Sequence, residues 1–349
     1  MNNKTQVGIL GATGSVGQRF IQLLSNHPWF EIAELAASDK SAGKKYFDAV
    51  NWIQNTPIPE NIGNIVLKNC DTHLQSKIFF SALDSSVAGE IEKSLAEDGR
   101  LIISNAKNHR FDEDVPLIIP EVNPEHFKLI NNQKSKGAIV TNPNCSTIGL
   151  CLALKPLHEK YGLKRVNVVT MQALSGAGYP GVSSLDIVDN VIPFISGEEE
   201  KMQTEPLKIF GSYSGNNIRF ADIKISASCN RVAVIDGHTE IVQVELNKKA
   251  QPDEIISTWN EFRSLPQKLN LPSAPIKPIY YFYDEKYPQP KIHRDIDKGM
   301  ATSIGRLRNC DLFDYKFVIL SHNTIRGAAG GTILIAELMK VQNYMERYI

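Results

Sequence analysis

One feature near the start of this chain limits its fold more than any other. An apolar run, TQVGIL at residues 5–10, leads straight into GATGSVGQ and then into the amphipathic stretch RFIQLLSNH. Strand, glycine turn and helix in that order aim a helix N-terminus, with its free N–H groups, at a phosphate. Gly11 permits the tight turn, Gly14 lets backbone approach a pyrophosphate, and Gly17 lets the helix lie close to the strand. The spacing is G-x-x-G-x-x-G rather than the commoner G-x-G-x-x-G, so its place after an N-terminal strand carries the reading. Strand signals recur at 31–37, 77–83 and 100–104, with a helical stretch near 85–97. This order predicts an α/β chain whose first half is a Rossmann-type parallel sheet covered on both faces.

The loop after the second strand reads Ser38-Asp39-Lys40-Ser41-Ala42-Gly43-Lys44-Lys45. NAD-specific domains often place a carboxylate here for the ribose 2′-hydroxyl. Small hydroxyls (Ser38, Ser41) and three lysines suit a 2′-phosphate instead, so NADP(H) is expected. Asp39 is compatible with the ribose role, and a solvated charged loop would have the same composition. Lys plus Arg and Asp plus Glu are equal at 38 each, which gives no net charge to draw the chain to nucleic acid or an anionic membrane. No apolar run approaches the ~18–20 residues of a membrane span, and none suits a signal peptide, so a cytoplasmic location is expected. The five cysteines are scattered without a C-x-x-C pair, and no histidines have H-x-x-x-H spacing. Neither a disulfide framework nor a metal site is expected.

Four of those cysteines read as small buried hydrophobes. Cys145 is different. The strand AIVT (138–141) gives way to Asn142-Pro143-Asn144-Cys145-Ser146-Thr147 and then to a helical pattern, which puts Cys145 at a helix N-terminus. Free N–H groups and the helix dipole there favour a thiolate and can hold an oxyanion. A thiol nucleophile needs a base, which can be distant in sequence. Arg231 and His238 bracket a short β-type run, and the strand TEIVQVELN follows, its alternation predicting an antiparallel sheet with one wet face. His238, beside Gly237, suits acid–base work or a plain surface position. In the polar segment 105–125 beyond the strand at 100–104, Arg110 is the one arginine. It suits a phosphate clamp, although composition alone reads it as an exposed, salt-bridging side chain.

These pieces resemble the aspartate-semialdehyde dehydrogenase family over essentially the whole chain. The resemblance rests on GATGSVGQ, SNAKNHR, NPNCST, QALSGAGYPG, EPLKI, NRVAVIDGH and HNTIRGAAGG, in that order, and the long forms look most like the archaeal and fungal branch. It implies that Cys145 is the nucleophile, His238 the general acid–base, and Gln172 the group that orients substrate or a catalytic water. It further implies Arg231 on the substrate α-carboxylate, Glu205 on the α-ammonium, and Lys208, Arg110 and Asn144 on phosphate. Gly11, Thr13, Gly14, Ser15, Val16, Ser38, Ser41, Gly176 and Asn323 would hold NADP(H), with Gly327 lining its approach. Composition alone reads Glu205 and Lys208 as an ion pair on a helix face, worth tenths of a kcal/mol. The implied reaction reduces L-aspartyl 4-phosphate to L-aspartate 4-semialdehyde, on the route to lysine, threonine and methionine.

The expected organisation is an NADP-binding domain of residues 1–145 plus 325–349, and an α+β catalytic and dimerisation domain of residues 146–324. The resemblance alone implies a homodimer or homotetramer. Two relatives with the same thioester chemistry compete. N-acetyl-glutamyl-phosphate reductase uses an N-blocked substrate, and malonyl-CoA reductase one without an amino-acid head. A nucleotide-sensing protein without catalysis is the reading of a different class, and it predicts decay of the Cys, His, Gln and Arg set.

Overall fold

The computed structural model describes residues 4–71 and 73–349. Strands β1 (Thr5–Leu10), β2 (Phe30–Ala37), β3 (Lys68–Asn69), β4 (Ile78–Ser81), β5 (Leu101–Ser104) and β6 (Ala138–Thr141) form one sheet. Its order is β3-β2-β1-β4-β5-β6, with every pairing parallel. The order reverses between β1 and β4, and the crevice beyond the strand ends at such a point is where ligands bind in open α/β sheets. Strands β4, β5 and β6 are buried throughout, which explains why their sequences are continuous apolar runs rather than alternating ones.

The principal helices are α1 (Ser15–Leu24), α2 (Ser85–Glu97), α3 (Cys145–Tyr161), α4 (Glu198–Ile209), α5 (Pro252–Glu261) and α6 (Gly330–Val341). Asp84 caps α2 by accepting a 2.9 Å hydrogen bond from the Ser86 amide. Helix α6 is buried from Gly330 to Met339, and its Ile333, Leu334 and Leu338 share a core with Val7, Phe20 and Phe80. The end of the chain therefore packs into the first sheet's own core.

A second sheet contains β7 (Leu163–Gln172), β10 (Lys224–Arg231), β11 (His238–Leu246), β12 (Ile279–Phe282), β13 (Thr302–Asn309) and β14 (Tyr315–Ser321), ordered β10-β7-β11-β14-β13-β12. A small hairpin, β8 (Ser212–Tyr213) and β9 (Ile218–Arg219), stands apart. This sheet is mixed, not purely antiparallel: β10 runs parallel to β7, and β12 to β13. The chain leaves β7 and crosses through α4 before entering β10, and a connection of that length permits parallel pairing. The β-type run expected after Arg231 is a turn, since β10 ends at that residue and Val232–Asp236 only link it to β11. Along β11 the alternation holds: Val242, Val244 and Leu246 are buried while Gln243 and Glu245 are half-exposed.

Helix α3 lies between these units. Its Leu150, Leu154 and Leu157 join Val168, Val242, Trp259 and Phe317 on one side. Its Ile148, Cys151 and Leu152 meet Leu117, Ile119 and Val122 on the other. From Ser146 to Leu154 the helix is buried, and it places its first residue, Cys145, at the junction. Among the described residues no helix is long and apolar enough to cross a membrane.

Candidate active site

A cleft of about 360 Å³ opens at that junction, lined by Ser15 and Val16, by Arg110, Asn144, Cys145 and Lys201, and by Gly176 and Asn323. The local sequence sets the nucleophile's position. Asn142 precedes Pro143 and is thereby confined to extended backbone. The Asn144 side-chain oxygen then accepts from the amides of Ser146 (2.9 Å) and Thr147 (3.3 Å), so α3 starts at Cys145. Asn144 is thus a helix cap as well as a cleft residue, and its Nδ2 donates to Glu198 at 2.6 Å.

Cys145 Sγ lies 3.1 Å from His238 Nε2. The other ring nitrogen, Nδ1, accepts the Ala173 amide at 3.0 Å. This assignment, made from the hydrogen bonds, puts the proton of the neutral ring on Nε2, facing the sulfur. The sequence expectation of a lowered thiol pKa is not met. Cys145 keeps part of its surface open to the cleft, yet burial pushes the thiol up to about 12, with Glu198 adding to the rise and Lys201, Arg110 and Arg231 opposing it. Burial likewise pushes the His238 imidazole down to about 3 against the pull of Glu198. Desolvation can move a pKa by several units, whereas a helix end contributes ~0.3–2 kcal/mol, so burial wins and the pair is neutral.

Two glycines allow this close packing. A Cβ on Gly176 would stand 2.9 Å from Arg231 Nη1 and 3.1 Å from His238 Cε1, and one on Gly327 would stand 2.6 Å from Cys145 Cβ. Gly327 belongs to a π-turn, Ile325–Ala329, that leads into α6. Arg231 is held beneath the 174–178 turn by a 2.6 Å bond from Nη1 to the Ala173 carbonyl. Gln172, paired with Arg231 across β7 and β10, is buried, and its Nε2 donates to Thr170 Oγ1 at 3.3 Å. Asn323 accepts from the Gly237 amide (2.8 Å) and donates to Ser175 Oγ (2.7 Å), tying the His238 turn to the cleft wall.

Helix α4 departs from the sequence reading. Glu205 is fully buried, accepting from Arg110 Nη1 and from the Asn144 amide, each at 2.7 Å. Lys208 Nζ donates to the carbonyls of Arg110 (2.8 Å), Asp112 and Val115 (2.9 Å each), which uses all three ammonium protons. Burial pulls its pKa down to about 8. Neither side chain lines the cleft. The lysine of α4 that lines it is Lys201, seven residues earlier, which donates to the buried Glu198 at 2.8 Å. The E-x-x-K spacing occurs twice in EEEKMQTEPLK, and only the packing of α4 decides which lysine lines the cleft.

The glycine turn stands as its sequence demands. Gly11 has φ +73°, and a Cβ on Gly17 would lie 2.2 Å from the Gly11 carbonyl oxygen. Gly14 precedes α1 with no side-chain cap, and a Cβ there would meet only the Gly11 oxygen, at 3.5 Å. The first turn of α1 therefore presents its amides to open space, which fits a dinucleotide phosphate. The Thr13 carbonyl accepts Gln18 Nε2 at 3.0 Å, fixing the turn. Ser38, Asp39 and Lys40 are exposed beyond β2, and the Ser41 amide donates to the Ser38 carbonyl at 2.8 Å.

Comparison with known proteins agrees with this geometry. The models for the semialdehyde dehydrogenase NAD binding domain and dimerisation domain match residues 6–130 and 154–326. A curated aspartate-semialdehyde dehydrogenase of Archaeoglobus fulgidus is 52% identical over 95% of this chain and 97% of its own length. The chain belongs to the aspartate-semialdehyde dehydrogenase family. A Saccharomyces cerevisiae member is 45% identical over 98% of this chain and all of its own length. The crystal structure of a Candida albicans aspartate-semialdehyde dehydrogenase with NADP superposes with a TM-score of 0.91 at 45% identity, covering 97% of this chain and 99% of that one. In this family frame, the glycine turn and Arg110 lie in the NAD binding domain, and Lys201, Arg231 and His238 in the dimerisation domain. Cys145 falls between the two matched segments.

Proposed function

We propose that this chain catalyses the reversible, NADPH-dependent reductive dephosphorylation of L-aspartyl 4-phosphate to L-aspartate 4-semialdehyde through a thioester on Cys145. The observation that supports this best is the 3.1 Å contact between Cys145 Sγ and His238 Nε2 beside a cleft that also holds Arg110, Lys201 and the start of α1. A nucleophilic thiol, cations and a dinucleotide turn in one cleft suit acyl transfer from a phosphate.

In this reading Arg231 grips the α-carboxylate, while Arg110 and Lys201, which line the cleft, hold the phosphate. These cations also favour loss of the thiol proton to water, and the His238 Nε2–H stabilises the sulfur anion. The thiolate attacks the acyl carbon, forming a C–S bond as the C–O bond to phosphate breaks and phosphate leaves on the cations. NADPH, when bound, supplies the hydride that reduces the acyl carbon. His238 Nε2–H donates to the alkoxide of the Cys145 hemithioacetal, and collapse frees the aldehyde and restores the thiolate. The α1 amides of Ser15 and Val16 would hold the cofactor pyrophosphate, Ser38 and Ser41 its 2′-phosphate, and Asn323 and Gly176 the nicotinamide end. Gln172 supports the strand end that carries Arg231.

A second copy of the chain completes the particle, as a homodimer or homotetramer, in the cytoplasm. Supporting this are the half-exposed Val169, Met171 and Val318 and the exposed Ile241 on one face of the mixed sheet, with exposed Leu185, Val188 and Phe194 nearby in sequence. The deciding assay is phosphate-dependent reduction of NADP⁺ by aspartate semialdehyde, with wild type and Cys145→Ala side by side. Activity in the wild type only, and none with N-acetyl-glutamate semialdehyde or with malonate semialdehyde plus CoA, is expected. A folded, NADP-binding wild type without activity would overturn the proposal.

A further inference from the structure

We infer that Tyr179 and Asn51 latch the strap of residues 174–181 over the cofactor cleft, as positioning residues for NADP(H) that do not themselves touch it. This rests on the cofactor role given to the cleft in the proposed function. The strap begins two residues after β7 ends, with a turn over Leu174–Ala177. Its near end is fixed to the link before His238. The Leu174 amide donates to the Val234 carbonyl at 2.7 Å, and the Ser175 amide to that of Ile235 at 3.1 Å. Ser175 Oγ also accepts from Asn323 Nδ2 at 2.7 Å. Beyond this anchor, Gly176 and Gly178 line the same cleft as Ser15 and Val16.

Past Ala177 the packing thins. Gly178 and Gly181 take φ of +75° and +81°, a region only glycine enters freely, and a Cβ on Gly178 would meet nothing within 4 Å. Tyr179 is 58% exposed. Its hydroxyl oxygen accepts from Asn51 Nδ2 at 2.6 Å, a contact between residues 128 apart in the chain. Asn51 is a fixed post for that bond. Its carbonyl accepts Gln18 Nε2 at 2.9 Å, and the same nitrogen donates to the Thr13 carbonyl at 3.0 Å. Gln18 Oε1 accepts the Ile53 amide at 2.8 Å, and the buried Tyr46 hydroxyl donates to the Ala12 carbonyl at 3.0 Å. Segment 46–53 is thereby clamped to the glycine turn that would carry the pyrophosphate. The bond to Tyr179 joins this turn to the strap, and neither Asn51 nor Tyr179 lines the cleft itself. A cofactor leaving from beneath the strap needs its far end to lift, and lifting breaks that exposed hydrogen bond.

The test is stopped-flow release of NADPH, followed by its fluorescence as excess NADP⁺ displaces it. Tyr179→Phe keeps the ring and removes the acceptor. Release should quicken by about two- to ten-fold, the range one hydrogen bond supplies, with the semialdehyde and phosphate KM near wild type. Asn51→Ala should quicken it as much. Because the two residues act through one bond, Asn51→Ala/Tyr179→Phe should release no faster than either single variant. Unchanged release in both single variants would overturn the inference, and so would additive effects in the double variant. Faster release from Tyr179→Phe alone would make Tyr179 a cofactor ligand and overturn it as well. A folded wild type that binds no NADPH would instead remove the cofactor reading of the cleft, and the latch with it.

Discussion

Gly327→Ala tests the packing behind the nucleophile. The added Cβ would lie 2.6 Å from Cys145 Cβ, 3.0 Å from its Cα and 3.2 Å from its carbonyl oxygen, where ordinary contact begins at 3.4 Å. The deficit is about 0.8 Å at the first atom, and two of the three atoms are backbone of α3, which is buried from Ser146 to Leu154. The π-turn that carries Gly327 is equally enclosed, so the strain falls on the position of Sγ. Overpacking of this kind costs ~1–3 kcal/mol of stability, and a shift of about 1 Å at a reacting atom costs on the order of a hundred-fold in rate. Steady-state kcat, alkylation of Cys145 by iodoacetamide and the melting temperature should be measured together. A folded variant with kcat down by about a hundred-fold is expected. A kcat near wild type with intact stability would refute the claim that Gly327 must be side-chain-free to seat the sulfur.

Three further outcomes follow from the same geometry. Glu240 is fully buried on β11 with neither carboxylate oxygen hydrogen-bonded, and burial raises its pKa well above 4.5. Its contribution is therefore complete below about pH 4.5 and lost at about 1.4 kcal/mol per pH unit as pH climbs toward the folded pKa. Glu240→Gln removes that loss, so its advantage in melting temperature should grow from pH 5 to 7, and parallel curves would contradict it. Removing the hydroxyls of Ser38 and Ser41 should weaken NADPH more than NADH, whereas equal losses would end the 2′-phosphate assignment. Arg231→Lys should damage semialdehyde use far more than thiol alkylation, because a lysine cannot make the bidentate grip; unchanged substrate affinity would remove Arg231 as the carboxylate clamp.

Where the demands on the chain are local, the sequence was readable. The turn after β1 needs glycine at a left-handed φ and at a contact of 2.2 Å, and both needs appear as letters. The start of α3 follows from Pro143 and the Asn144 cap in the same way. Long-range packing was not readable. Val232, Val234 and Ile235 are strong strand formers, yet they form a link, because the partner strand β7 is already paired with Lys224–Arg231. The two E-x-x-K copies on α4 are equivalent until the helix is laid across α3, and then Lys201, not Lys208, lines the cleft. The thiol's raised pKa has the same origin, since burial comes from residues distant in sequence.

A single-turnover experiment without phosphate tests the central claim most directly. Enzyme is mixed with NADP⁺ and aspartate semialdehyde, quenched in acid, digested and analysed by mass spectrometry. The account predicts a burst of NADPH no larger than the enzyme concentration, an aspartyl group on the Cys145 peptide, and release of both group and turnover when phosphate is added. A burst with Cys145 unmodified, or sustained turnover without phosphate, would contradict a thioester on this residue.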